Sequence, residues 1–401
     1  MQLRCRIKVF AGSNSGKHFN KTEIVKIGKI FSMLIIVNML FACNRRQVTC
    51  ESAPDFKSGI AQFDTSVYKL HNISRFSFIK TLGFLTFYKG KYYTIDAEKK
   101  LLICYQFNRI SQETIDVHVV KQLSLNFKPK DISINKNGIY LLSDPEYSSL
   151  FHFPLEIMDP LFTDTLTGRV VMDGIYIFPN ARLNVSDQGN VTAWFNIYNS
   201  EDSYKHFEEY DYKNMKSISR YDDEENVEGY YPSMEYPNRL DLDTFSIVSY
   251  GYKNTIIKYN RITGEIAGEY CAKSDSFDLI PSLTQDEIAD VQMPLNYLIS
   301  SPRYLDMKYD RKKRLFLRIA KLQQELRVPG SRRLNKIDNS PWSVVLLNSD
   351  FERVGERFVA GGKVNYLFHF SDDEGIHFLV NEEADQIKDA YLVKFAKLNL
   401  P

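Results

Sequence analysis

The side chains in this chain that could carry chemistry are dispersed. Seven histidines, His18, His71, His118, His152, His206, His369 and His377, form neither an HExxH motif nor a paired zinc pattern. His369 and His377 fall on the two strands of one hairpin and could approach each other, but packing or hydrogen bonding between sheets is the commoner use of such residues. No metal site is expected. No GxSxG elbow marks a nucleophile. Acidic runs occur at Asp222-Asp223-Glu224-Glu225 and Asp372-Asp373-Glu374. Glycosidase chemistry needs two carboxyl groups about 5 to 10 Å apart, one with a raised pKa, and runs of this kind in turns are usually solvated. Calcium would suit such oxygen ligands, yet no DxDxDG loop is present. Gly12-Ser13-Asn14-Ser15-Gly16-Lys17-His18 is one residue short of a phosphate-binding GxxxxGK[ST] loop and lacks the final hydroxyl. No cofactor is called for.

The stretch richest in recognition-type residues is Glu228 to Leu240, EGYYPSMEYPNRL. Tyr buries large area while keeping a polar tip, and aromatics with Arg recur in recognition surfaces. Tyr230, Tyr231, Tyr236 and Arg239 are therefore the candidate ligand contacts, for a sugar ring or a peptide. The alternative is that these rings pack between sheets or cover a sheet edge.

The elements that must position these residues read as hairpins. Tyr366 to Val380, YLFHFSDDEGIHFLV, is strand, tight turn and strand, followed by the apolar run Ala390 to Leu400. Phe84 to Phe107 repeats the outline with turns at Lys89-Gly90 and Ala97-Glu98-Lys99-Lys100, giving three strands. Asp131 to Phe153 carries Asn137-Gly138, the strongest short hairpin signal, because Asn and Gly accept positive φ. Leu183 to Tyr198, Phe245 to Tyr270 and Tyr304 to Ile319 follow, the last continuing in Ser343 to Phe358. First turns fall near residues 90, 138, 188, 252, 312 and 374, the spacing of four-stranded propeller blades with some long loops. A single hairpin cannot bury its apolar face, whereas blades packed around an axis can, and closure protects strand edges. The expected fold is an all-β propeller of six or seven blades, six preferred. Ser66 to Leu70, from the opposite end of the chain, would supply the fourth strand of the last blade. Two stacked β-sandwiches compete if the stretches Pro154 to Asn180 and Asn199 to Asp243 hold no strands. Ser282 to Val291 is the best helix candidate, with a capping box at Thr284 and Glu287.

Ile30 to Ala42, IFSMLIIVNMLFA, is a nearly uncharged run of about 13 residues, short for a membrane span of about 20 and suited to a secretory signal. Lys21, Lys26 and Lys29 supply the positive flank. Leu40-Phe41-Ala42-Cys43 resembles the lipobox of bacterial lipoproteins, with Phe41 bulky for its position. The resemblance implies cleavage before Cys43 and acylation there, which would hold the protein to a membrane leaflet. The division is then a signal over 1–42, a lipidated Cys and tether over 43–60, and one propeller over 61–401. Of the other cysteines, Cys50, Cys104 and Cys271 could form one bridge in an oxidising compartment, with buried thiols expected for Cys104 and Cys271.

The net charge is +1 and the chain is 44% hydrophobic with 25 Tyr and 27 Phe. That balance gives no basic field for a nucleic-acid partner, and the aromatics favour half-buried strands, although an AT-rich genome would raise them too. The lipobox, the repeats, Lys128-Pro129-Lys130-Asp131-Ile132 before a strand and Leu346-Leu347-Asn348-Ser349-Asp350-Phe351 after one resemble the six-bladed β-propeller lipoproteins of Bacteroidetes. The resemblance implies an exported propeller and brings no catalytic residues. The expected function is a binding or scaffold module for a protein, peptide or glycan, on the periplasmic face of the outer membrane rather than the cell surface. The alternative is a glycan-active hydrolase or lyase with acid and base groups at the mouth of the propeller axis. A rigid ring presenting many loops favours the binding module, and the fold by itself hosts both.

Overall fold

In the computed structural model the chain divides into two compact units, residues 1–47 and Val48–Pro401. The described residues belong to the second: 48, 50 and 56–400, apart from 83–84, 97, 109–113, 123–130, 143–148, 154–161, 166–168, 171–182, 187–189, 199–202, 212–215, 223–229, 232–237, 291 and 382–390. The signal run, Cys43, Tyr236 and Lys128-Pro129-Lys130 lie outside them.

Strands β1 (Lys57–Ile60) and β2 (Phe63–His71) precede a short helix, α1 (Arg75–Thr81). Next come β3 (Thr86–Tyr88), β4 (Lys91–Asp96), β5 (Leu101–Asn108) and β6 (Thr114–Gln122), then β7 (Asp131–Asn135), β8 (Gly138–Leu142), β9 (Ser149–Phe153) and β10 (Phe162–Thr165). They are followed by β11 (Arg169–Val170), β12 (Asn184–Val185), β13 (Asn190–Tyr198), β14 (Ser203–Asp211) and β15 (Lys216–Asp222). β16 (Asn238–Asp241), β17 (Phe245–Ser249), β18 (Thr255–Asn260) and β19 (Ile266–Cys271) lead into helices α2 (Gln285–Ala289) and α3 (Met293–Ser300). The chain ends with β20 (Arg303–Asp310), β21 (Leu315–Lys321), β22 (Trp342–Leu347), β23 (Arg353–Val359), β24 (Val364–Asp372), β25 (Gly375–Val380) and β26 (Leu392–Leu398). The protein is mostly β with few helices. Among the described residues, no helix is long and apolar enough to cross a membrane.

Sequential hairpin pairing builds the sheets β7–β10, β11–β15, β16–β19 and β20–β23, with β1 added parallel to β23. The remaining sheet runs β24-β25-β26-β2-β6-β5-β4-β3. In it β2 pairs antiparallel with β26 from Phe63↔Leu398 to Lys69↔Leu392, and touches β6 in parallel only at Lys69 to His71. The early strand expected at Ser66 to Leu70 is thus present and completes the last hairpin group. Turn chemistry sets the local registers. Lys89 and Gly90 both have positive φ, 48° and 77°, as a two-residue hairpin turn requires. At the second hairpin the turn residues are Lys136 and Asn137, one position earlier than expected, and Gly138 opens β8 opposite Asn135. A Cβ on Gly138 would lie 2.3 Å from the Phe153 carbonyl oxygen, so the close approach of β9 demands glycine there.

Burial on both faces explains the continuous apolar runs. In β22 every residue is buried, and the pleat sends successive side chains to opposite faces. Trp342, Val344 and Leu346 pack with Tyr366, Ile376 and Phe378 of the following sheet. Val345 and Leu347 pack with Ile247 and Ile256 of the preceding one. Ile95 and Leu102 likewise meet Ile132, Ile139 and Phe153 of the next sheet. Arg318 of β21 is buried against Tyr304, its guanidinium carbon 3.4 Å from the ring centroid, and donates to Ser249 Oγ and to the carbonyls of Tyr250, Lys253 and Ala272. One planar fork thereby ties β21 to the β17–β18 hairpin.

Several expectations change. β1, β6, β10, β11, β14, β15 and β16 lie outside the hairpins expected from sequence. The stretches 154–180 and 199–243 hold β10, β11, β14, β15 and β16, which removes the condition that favoured stacked sandwiches. β1, Lys57–Ile60, falls within the stretch expected as tether and pairs with β23. Cys271 is not a free buried thiol: it is bonded to Cys50, 221 residues away, a pairing decided by three-dimensional proximity that spacing could not show. Cys104 is buried and free, as expected. The helix at Thr284 forms with its capping box, but is confined to Gln285–Ala289.

Candidate functional site

Neighbouring hairpin groups meet through side-chain contacts. Thr86 Oγ1 donates to the Ile132 carbonyl at 3.3 Å, joining β3 to β7. Asn135 Nδ2 donates to the Val185 carbonyl, and Ser133 Oγ and Asp131 Oδ2 accept from Val185 N and Leu183 N, joining β7 to β12. Asn184 Nδ2 donates to Asp241 Oδ2 at 2.9 Å, joining β12 to β16. Leu240 of β16 and Met307 of β20 share one apolar cluster. His369 meets Asp306 between β24 and β20, and Tyr92 of β4 donates to Asp372 Oδ2 at 2.7 Å.

A cavity of about 250 Å³ is lined by residues of four hairpin groups: Leu85, Phe87 and Tyr92; Leu240, Asp241 and Leu242; Lys308, Tyr309 and Arg311; His369, Phe370 and Ser371. Asp241, the one carboxylate among its described lining residues, is built in. Asp241 accepts from Arg239 Nε at 2.9 Å and Asn184 Nδ2 through Oδ2, and from Ser246 Oγ at 2.6 Å through Oδ1. Burial pushes its carboxyl up, but Arg239, Arg261 and the Ser246 hydroxyl outweigh that and hold it below the usual carboxylate value.

Asp306 accepts from Met307 N through Oδ1, and its Oδ2 lies 2.9 Å from His369 Nε2 and 2.8 Å from Lys308 Nζ. Burial again opposes ionisation, yet Lys308 and His369 keep this carboxyl far below its ordinary range. His369 Nδ1 faces the Tyr366 carbonyl at 3.0 Å. Both ring nitrogens therefore face acceptors. Burial nevertheless pulls the imidazole below the usual histidine value, against the attraction of Asp306. Asp306 and His369 each follow directly on a register shift, between Tyr304 and Asp306 in β20 and between Asn365 and His369 in β24. Such irregularities re-aim a side chain, and here they turn two polar groups of adjoining sheets towards one another.

Arg239 belongs to β16, is almost fully buried and is committed to Asp241. Tyr230 and Leu283 exchange two backbone hydrogen bonds, at 3.1 and 2.8 Å. Tyr231 stacks on Tyr252 with centroids 4.6 Å apart, and both Tyr230 and Tyr231 pack on the cluster of Ile280, Leu283, Tyr297 and Tyr304. Tyr236 lies outside the described residues. His369 and His377 occupy successive cross-strand pairs, His369↔Phe378 and Phe370↔His377, so they project to opposite faces. His377 instead stacks on Phe370 and meets Asp372. Among the described residues, no group of three or more His, Cys, Asp or Glu could hold a metal. The cavity residue Lys308 and its partner Asp306 had a weak signal in the sequence, two charges alternating with Leu305, Met307 and Tyr309 in β20.

No family model matches the sequence, and no curated protein matches it. The fold is similar to two crystal structures. One is a member of the DUF4221 family from Bacteroides vulgatus ATCC 8482, with a TM-score of 0.60 and 15% identity over 85% of this chain and 98% of that one. The other is a protein of Bacteroides fragilis NCTC 9343 named for its expected export, with a TM-score of 0.54 and 13% identity over 86% of this chain and 99% of that one. At such identities the likeness is one of fold, carried across nearly the whole of both Bacteroides proteins.

Proposed function

We propose that residues 61–401 form a six-bladed β-propeller, exported and anchored through an acylated Cys43, that acts as a binding module with its ligand in the cavity between the innermost strands. The blades would be β3–β6, β7–β10, β12–β15 with β11, β16–β19, β20–β23, and β24–β26 closed by β2. The run of contacts from β3 through β7, β12, β16, β20 and β24 back to Tyr92 supports that closure, because each inner strand meets the next. Export is supported by the Cys50–Cys271 bond, since structural disulfides persist in oxidising compartments, and by the name of the B. fragilis protein of similar fold. The outer membrane, on its periplasmic face, remains the proposed address.

The observation that carries the binding reading over glycan hydrolysis is the state of Asp241 and Asp306. An acid catalyst needs a carboxyl with a raised pKa. Both of these are held low by cations and hydrogen-bond donors. Leu242→Trp would fill the cavity from a position outside the strands. Native mass spectrometry of the protein isolated from its own cell envelope should show a bound small molecule in wild type that the variant has lost. Identical spectra, or turnover of a glycan by the wild type, would overturn the reading.

A further inference from the structure

The lining is mixed in character. Leu85, Phe87, Tyr92, Leu240, Leu242 and Phe370 make much of it apolar and aromatic. Lys308 and Arg311, from β20 and the turn after it, bring positive charge to it. Among the described lining residues Asp241 is the sole carboxylate, and its oxygens already accept from Arg239, Asn184 and Ser246. Lys308 is partly exposed and gives one donor to Asp306. An ammonium has three, so two remain for a guest. Arg311 also lines the cavity, is exposed and has the planar fork that matches a carboxylate. The lining therefore combines positive charge and N–H donors with aromatic rings. At about 250 Å³ the space is just below the usual range for ligand pockets, about 300 Å³ upwards, which suits a single ring with a short acidic arm and not an oligosaccharide.

Resting on the binding-module reading, we infer that the cavity takes a small aromatic carboxylate, its ring against Phe87, Tyr92 and Phe370 and its acid group between Lys308 and Arg311. Ligand-observed NMR titrations with 3-phenylpropanoate and its neutral counterpart 3-phenylpropanamide test this on the whole protein. The acid should bind at least about tenfold more tightly than the amide, the scale of one charge-assisted contact. Arg311→Gln, at an exposed turn position, should remove most of that preference without changing the melting temperature, and Lys308→Met should remove the rest. Equal binding of acid and amide would overturn the inference while leaving an apolar binding cavity in place. Binding of neither would end both the inference and the cavity-based reading. An acid preference untouched by Arg311→Gln and Lys308→Met would place the anion elsewhere and overturn the inference too.

Discussion

His369 Nε2 lies 2.9 Å from Asp306 Oδ2, linking β24 and β20, strands of two sheets that share no member. The side chain of His369 is 6% exposed and that of Asp306 14%, and each sits beside a register irregularity that aims it across the gap. The pair is thus a joint between sheets, and its His369 lines the cavity. Removing one partner of a buried pair leaves an uncompensated group, at a cost of about 3 kcal/mol or more. Asp306→Asn should lower the urea midpoint accordingly. The sign of its pH dependence follows from the shifts. The folded pKa of Asp306 lies below the unfolded carboxylate value, so its stabilisation is present above about pH 4 and fades as acid protonates the folded state. His369 is also held low, so the unfolded chain takes up its proton first below about pH 6.5 and stability falls in the same direction. Because the Asp306 contribution is lost only below the unfolded carboxylate value, wild type should lose stability from pH 4 to pH 2 more steeply than Asp306→Asn. Parallel profiles would refute the coupling.

The Cys50–Cys271 bond ties the segment before β1 to the end of β19 across 221 residues. Cys50→Ser, or reduction, should cost about 2 to 4 kcal/mol, read as a lower melting temperature. Cys104 should stay inert to iodoacetamide in the folded protein, because burial pushes its thiol up and screens it. Rapid alkylation of Cys104 before unfolding would contradict its placement.

Lys321 lies across the β20–β21 pair from Arg303, fully buried, with Nζ donating to the carbonyls of Ser301 and Leu322. Burial, then the neighbouring Arg303 charge, lowers its pKa to about 7. Between pH 7 and about pH 10 the unfolded chain holds a lysine proton that the folded protein does not, so stability should rise with pH across that window. Denaturation midpoints at pH 7, 8 and 9 should show the rise in wild type and a flatter line in Lys321→Met. The same slope in both would exclude Lys321 as its source.

Tyr231 stacks on Tyr252 and packs on the cluster that includes Leu283 and Tyr297. Tyr231→Ala should therefore cost about 1 to 2 kcal/mol and leave cavity binding intact. A variant with unchanged melting temperature and lost ligand binding would restore the aromatic loop as the recognition surface.

What short-range chemistry encodes was readable from the chain itself. Lys89-Gly90 forms its turn because those residues accept positive φ, Thr284 and Glu287 cap a helix because they stand three residues apart, and the apolar runs pair because each lies beside its partner in sequence. Even the strand at Ser66 to Leu70 could be anticipated, since a last hairpin group short of one strand has an edge to cover. Tertiary structure alone decided that Cys50 bonds Cys271, that β1 lies along β23, that Arg239 is spent on Asp241 and that His369 finds Asp306 instead of His377. The turns and cap rest on groups a few residues apart, where local backbone preference dominates. The cavity pairings span from 2 residues to more than 200 and depend on how separately formed sheets pack and where their registers slip, which no local spacing records.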